Sequence, residues 1–262
     1  MEYSKNKTVN MVLKFIGPEY FNEMEEFISN VLQKRFVTFD DEVSLNKFFS
    51  EYLEKFYSTH NEDEIRSLRT YTGYEFSDIN SILRNNWNYE INGLLTQEKT
   101  SDLRAFASHL STMMNSLENI PYNIRSYRGV TLNSFKSYGI NSIEELGTLK
   151  GQYLYEEGFT STSLIRDRSF FDRELEYHEK CNIEIEYLIP EETNEVIPLI
   201  SDDLSYSKVQ SELLINSGSL SKVIDVAISE DKTKAYIKVI LVPRKIYDKN
   251  IDDKQIKSPS IN

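Results

Sequence analysis

An α+β fold is predicted for this chain. Apolar residues recur at helical spacing through its first half, then alternate in short, turn-bounded runs through its second. Helices first and strands afterwards argue against a doubly wound sheet, where the two would alternate. The chain is also long enough, at 262 residues with 39% hydrophobic, for one large domain or a catalytic domain carrying a helical extension.

The helical half opens with Phe21, Met24, Phe27, Ile28, Val31 and Leu32, then repeats the stripe at Leu45, Phe48, Phe49, Tyr52, Leu53 and Phe56. A third helix is expected after Gly73, with Thr72 and Glu75 spaced as a capping box and Phe76, Ile79 and Leu83 as its apolar face. A fourth, over 100–117, carries Leu103, Phe106, Leu110 and Met114. In the second half, strands are expected at 126–130, within 151–164, at 183–188, 213–215, 223–228 and 235–242. Asp231 and Lys232 mark the turn before the last strand.

Composition removes several classes of function. The net charge of −12 disfavours a general affinity for nucleic acid or anionic lipid, while leaving room for a local basic cleft. One cysteine, Cys181, excludes an internal disulfide and a thiolate zinc site; it reads as a strand-edge thiol. His60, His109 and His178 have no metal-ligand spacing, so no metal is expected. The stretch MEYSKNKTVNMVLKF lacks the apolar run of a signal peptide, and no segment approaches a membrane span, so a soluble chain is expected.

Three short segments carry chemistry. Tyr127-Arg128-Gly129 pairs a guanidinium that can grip phosphate with a glycine that lets the backbone approach a ligand. Gly158-Phe159-Thr160-Ser161-Thr162-Ser163 places Ser161 and Ser163 on one strand face. Gln210-Ser211-Glu212, if extended, points an amide and a carboxylate the same way.

In this order the segments resemble the arginine, Ser-Thr-Ser, glutamate class of mono-ADP-ribosyltransferase toxins. The Gln two residues before Glu212 is similar to the clostridial Rho-modifying exoenzymes. The resemblance spans about residues 65–245. It implies a helical N-terminal part packed on a mixed, mostly antiparallel two-sheet core, divided as an extension 1–62, a catalytic domain 63–246 and a polar tail 247–262.

The resemblance also implies NAD as substrate and a set of roles. Glu212 would bind the ribose 2′-hydroxyl and offset the positive charge left by departing nicotinamide, with Ser161 holding it. Arg128, Arg84 and Arg173 would neutralise the phosphates, Gly129 would meet the nicotinamide amide, and Phe170 would lie against its ring. Tyr71, Asn80 and Ser163 would complete the nucleotide site, Asn80 and Arg84 sharing one helix face. Tyr206 would touch the protein substrate, although it stands one residue further from Gln210 than in the Rho-modifying group.

Gln210 bears on the acceptor, because a neutral amide pairs with another carboxamide and cannot deprotonate a guanidinium. Asparagine or glutamine of a target protein is the expected acceptor, with a Rho-type GTPase of a host cell as the implied partner and export as the implied route. NAD hydrolysis, transfer to nucleic acid, or a non-catalytic module retaining the fold are the alternatives.

Overall fold

Helix α1, Pro18–Val31, lays Met24, Ile28 and Val31 on Tyr153, Leu188, Leu220, Ile240 and Val242 near the other end of the chain. In this computed structural model residues 18–84, 97–173, 180–206 and 210–247 are described. The stretch MEYSKNKTVNMVLKF read for a leader, His178 and the polar tail from 248 onward lie outside them. No helix among the described residues is long and apolar enough to cross a membrane.

Helix α2, Glu42–Thr59, is capped by the Asp41 carboxylate, which accepts from Ser44 N at 2.8 Å. Its stripe of Leu45, Phe49, Leu53 and Phe56 is buried as the spacing predicts. Helix α3, Glu62–Thr70, was not foreseen, since only Leu68 of its nine residues is buried and its sequence is mostly charged. The capping box stands here, at Asn61 and Glu64. The box expected at Thr72 is absent: its hydroxyl donates to Arg69 O at 2.9 Å inside a continuing helix. A π-helical segment, Tyr71–Glu75, kinks at Gly73 and runs into α4, Phe76–Leu83. Helix α5, Gln97–Asn115, packs on α3 and α4.

Eight strands follow: β1 Ile124–Val130, β2 Tyr153–Glu156, β3 Thr160–Ser163, β4 Ile183–Ile189, β5 Val196–Leu199, β6 Glu212–Ile215, β7 Ser219–Ile228 and β8 Ala235–Val242. A final turn of helix, α6 Arg244–Tyr247, closes the described chain. Strand β5 escaped the sequence reading because all four of its residues are buried and leave no alternation to detect.

The strands are hydrogen-bonded in the order β2-β7-β8-β4-β1-β3-β6-β5, with β4–β8 the parallel pair and the other neighbours antiparallel. Two sheets were expected; hydrogen bonding makes one. The physical reason is slight, because a single register pair, Tyr127↔Ser163, joins β1 to β3. The sheet is nearly split there, and that near-split positions the site.

The main core lies between α2–α5 and β3, β5 and β6, so Phe49 and Leu53 share one cluster with Leu213 and Leu214. A fully buried side chain of this size contributes ~1.5–3 kcal/mol. Phe49→Ala should therefore lower unfolding stability by ~3–5 kcal/mol in a denaturant titration. A change under ~1 kcal/mol would show that α2 is appended to the catalytic core rather than built into it.

Candidate active site

The near-split opens a cleft of about 460 Å³ between β1, β3 and the head of β6. Its lining includes Tyr71, Tyr127, Arg128, Gly129, Ser161, Ser163, Phe170, Gln210 and Glu212. Segments as far apart in the chain as Tyr71 and Glu212 therefore meet here, and the register explains how. Ser163 stands opposite Tyr127 on one side and opposite Glu212 on the other, which leaves Ser161 diagonal to Glu212 on the same face.

Glu212 is 5% exposed. Burial pushes its carboxyl above the usual carboxylate range, opposed by a hydrogen bond from Ser161 and by the nearby charge of Arg128. Glu212 was expected to follow Gln210 along a strand. Instead β6 begins at Glu212, and Ser211 before it has a left-handed backbone, φ 47°. Gln210 and Glu212 reach the same cleft around this turn, not by strand alternation.

Several residues expected to meet the nucleotide have partners within the chain. The Ser163 hydroxyl lies 2.8 Å from Gln210 O and 2.7 Å from Ile165 O, so it braces the turn ahead of β6. Asn80 donates to the Tyr71 hydroxyl at 3.0 Å and accepts from Phe159 N at 2.8 Å, engaging both ends of its amide inside the core. Arg84 pairs with Glu156 at 2.8 Å. Although burial alone would raise the Glu156 carboxyl, Arg84 and then Arg128 hold it below its usual range. Asn80 and Arg84 are outside the cleft lining, and their side chains engage Glu156 of β2 and Phe159 just ahead of β3. Gly158 permits that approach: a Cβ there would meet Asn80 Oδ1 at 2.7 Å.

The backbone of Gly129 is approached closely, as its lack of a side chain suggested, but by the chain itself. A Cβ would sit 2.3 Å from Phe171 N, and the Gly129 N–H donates to Ser169 O. The same loop gives Phe170 a left-handed backbone, φ 63°, and sets its half-exposed ring at the cleft. Arg173 lies outside the lining, with its guanidinium 5.4 Å from the Phe170 ring centroid.

Tyr206 is 62% exposed, yet tied at its base. Its N–H donates to Thr72 Oγ1 at 3.2 Å, Arg69 lies 5.0 Å from its ring centroid, and the ring passes over Gly73. Tyr71, 1% exposed, has its hydroxyl pKa pushed up by burial. Phe76 and Arg168 also line the cleft and were not singled out in sequence. Phe76 had been assigned to the apolar face of its helix but is 49% exposed. Arg168 was one of three arginines in a charged loop, with nothing local to distinguish it.

A model of the ADP-ribosyltransferase exoenzyme family matches residues 45–243, and the chain belongs to that family. It is an NAD-dependent mono-ADP-ribosyltransferase. No curated protein matches by sequence. Among solved structures, the fold is similar to C3stau2 from S. aureus with NAD, at a TM-score of 0.61 and 20% identity over 79% of this chain and 99% of that one. The Clostridium limosum C3 exoenzyme gives 0.61 and 20%, covering 80% and 98%. BECa, from a binary enterotoxin of C. perfringens and solved with NADH, gives 0.58 and 20%, covering 79% and 50%. At these identities the likeness is one of fold.

Ser161→Ala should move the acidic limb of the pH–rate profile for NAD cleavage to higher pH. The bond it removes favours ionised Glu212, and burial already opposes ionisation, so the carboxyl would protonate earlier as pH falls. An unmoved limb would mean that Glu212 does not set it.

Proposed function

We propose that NAD binds in this cleft and that Glu212 stabilises the transition state in which nicotinamide departs, before ADP-ribose passes to a carboxamide on a target protein. The observation that carries the reading is a buried carboxylate with Ser161 and Arg128 beside it. A cleft of about 460 Å³ is of a size that suits a nucleotide-sized ligand.

The bond between the ribose anomeric carbon and the nicotinamide nitrogen breaks, its electron pair leaves with nicotinamide, and positive charge spreads over the ribose. Glu212 answers that charge from a site where water does not screen it. Arg128 binds the diphosphate, Phe170 lies against nicotinamide, and Tyr71 lines the floor. The acceptor amide nitrogen then bonds to the anomeric carbon and releases one proton to solvent. Gln210, at the cleft beside Glu212, accepts from and donates to that amide, and Tyr206, exposed beyond it, meets the target protein. A Rho-type GTPase as target, and export to act in a host-cell cytosol, follow from the sequence resemblance to the Rho-modifying toxins.

Glu212→Gln should cut transfer of labelled ADP-ribose by ~10²–10³ while NAD affinity, read by calorimetry, stays within about threefold. Near-normal turnover in that variant would refute the role of Glu212. Gln210→Glu should keep NAD cleavage and shift the modified side chain toward arginine, as located by mass spectrometry of modified lysate proteins. Identical modification sites in both enzymes would remove Gln210 from acceptor choice.

A further inference from the structure

Arg168 has no part in the chemistry above, yet it lines the cleft and holds the residue between Gln210 and Glu212. Its Nη1 donates to the Ser211 hydroxyl at 2.8 Å. The same guanidinium pairs with the Glu42 carboxylate in the first turn of α2. Ser211 is buried, and its φ of 47° is one that a residue with a side chain adopts when its surroundings hold it there.

Three bonds do the holding. Ser163 fixes the carbonyl of Gln210, Leu164 N donates to Ser211 O at 2.9 Å, and Arg168 fixes the Ser211 side chain. The first two come from β3 and the residue after it. The third reaches across from the loop following β3 and is braced by α2. The direction in which the Glu212 carboxylate enters the cleft is set at this turn.

We propose that Arg168 is a positioning residue for Glu212, acting through the Ser211 hydroxyl and braced by Glu42; the inference rests on the role given to Glu212 above. A displacement of ~1 Å in a reacting group can cost ~10² in rate, so loss of the tether is read in turnover, not in nucleotide affinity. One guanidinium nitrogen, Nη1, meets both Ser211 and Glu42. Lysine at 168 keeps the charge and a donor but lacks the rigid planar group that fixes that nitrogen between them, so it restores turnover in part.

The experiment measures kcat for NAD cleavage, NAD dissociation constant and melting temperature for the full chain and for Arg168→Met, Arg168→Lys, Ser211→Gly and the Arg168→Met/Ser211→Gly pair. Glycine accepts a positive φ without strain, so Ser211→Gly removes the tether while keeping the turn foldable. Arg168→Met and Ser211→Gly are each expected to lower kcat by about tenfold or more with the dissociation constant within about threefold. The pair should lose no more than either alone, and Arg168→Lys should fall between Arg168→Met and the parent.

Multiplying losses in the pair would overturn action through Ser211. A dissociation constant that rises as far as kcat falls would make Arg168 a nucleotide ligand and overturn positioning. A parent chain that neither binds nor cleaves NAD would overturn both readings together. An active parent alongside a fully active Arg168→Met would overturn this one alone.

Discussion

A carboxylate removed from water has to be answered by neighbours that are already in place, and the burial of Glu212 imposes that condition on everything around it. The head of β6 supplies the carboxylate, β3 supplies the Ser161 hydroxyl, and β1 supplies the Arg128 charge. Strands β3 and β6 are joined along four register pairs, whereas β1 meets β3 through the one pair of Tyr127 and Ser163. A fuller β1–β3 ladder would close the cleft, and a missing one would let its two walls drift apart. The single pair holds the walls at a separation that leaves Glu212 buried yet facing open volume.

Charge is distributed around this point by position more than by quantity. The chain carries twelve net negative charges, yet guanidinium groups of Arg128 and Arg168 both line the cleft. Arg84 is matched by Glu156 at the end of β2, a carboxylate that Arg128 also influences, so charge of both signs is paired close to the cleft. Tyr206 shows the same control of position: its ring is exposed while its backbone N–H and Arg69 fix where that ring stands.

Sequence periodicity made the helix of Leu45, Phe49, Leu53 and Phe56 legible because it has a wet face and a dry one. The strand of Ile183 and Ile185 was legible from alternating charge, although Glu184 is buried and paired with Arg166. It missed Val196–Leu199, which is dry on both faces, and Glu62–Thr70, which is wet nearly all round. The same limit applies in the cleft. Motif order brought Arg128, Ser161 and Glu212 to one place, but side chains such as Asn80 and Ser163 were assigned a face without a partner. Their partners are backbone groups of Phe159 and Gln210, remote in sequence, and no local pattern announces them. Arg168 was hidden for the same reason: its significance comes from Ser211 and Glu42, 43 and 126 residues away.

The packing of α1 against strands near the other end of the chain has a consequence for how the molecule comes to be folded. Met24, Ile28 and Val31 have no complete docking surface until β7 and β8 and the turn bearing Tyr247 have formed. Strand β4 likewise awaits β8 as its parallel partner, about fifty residues later. Contacts of such sequence separation are slow to make, because chain entropy is lost before the contacts repay it. During synthesis the first helix therefore emerges long before its surface exists, and its apolar stripe remains uncovered in the interval. A chain halted ahead of β8 would hold every residue of the cleft, yet β7 and β2 would have no strand to join them to the rest of the sheet.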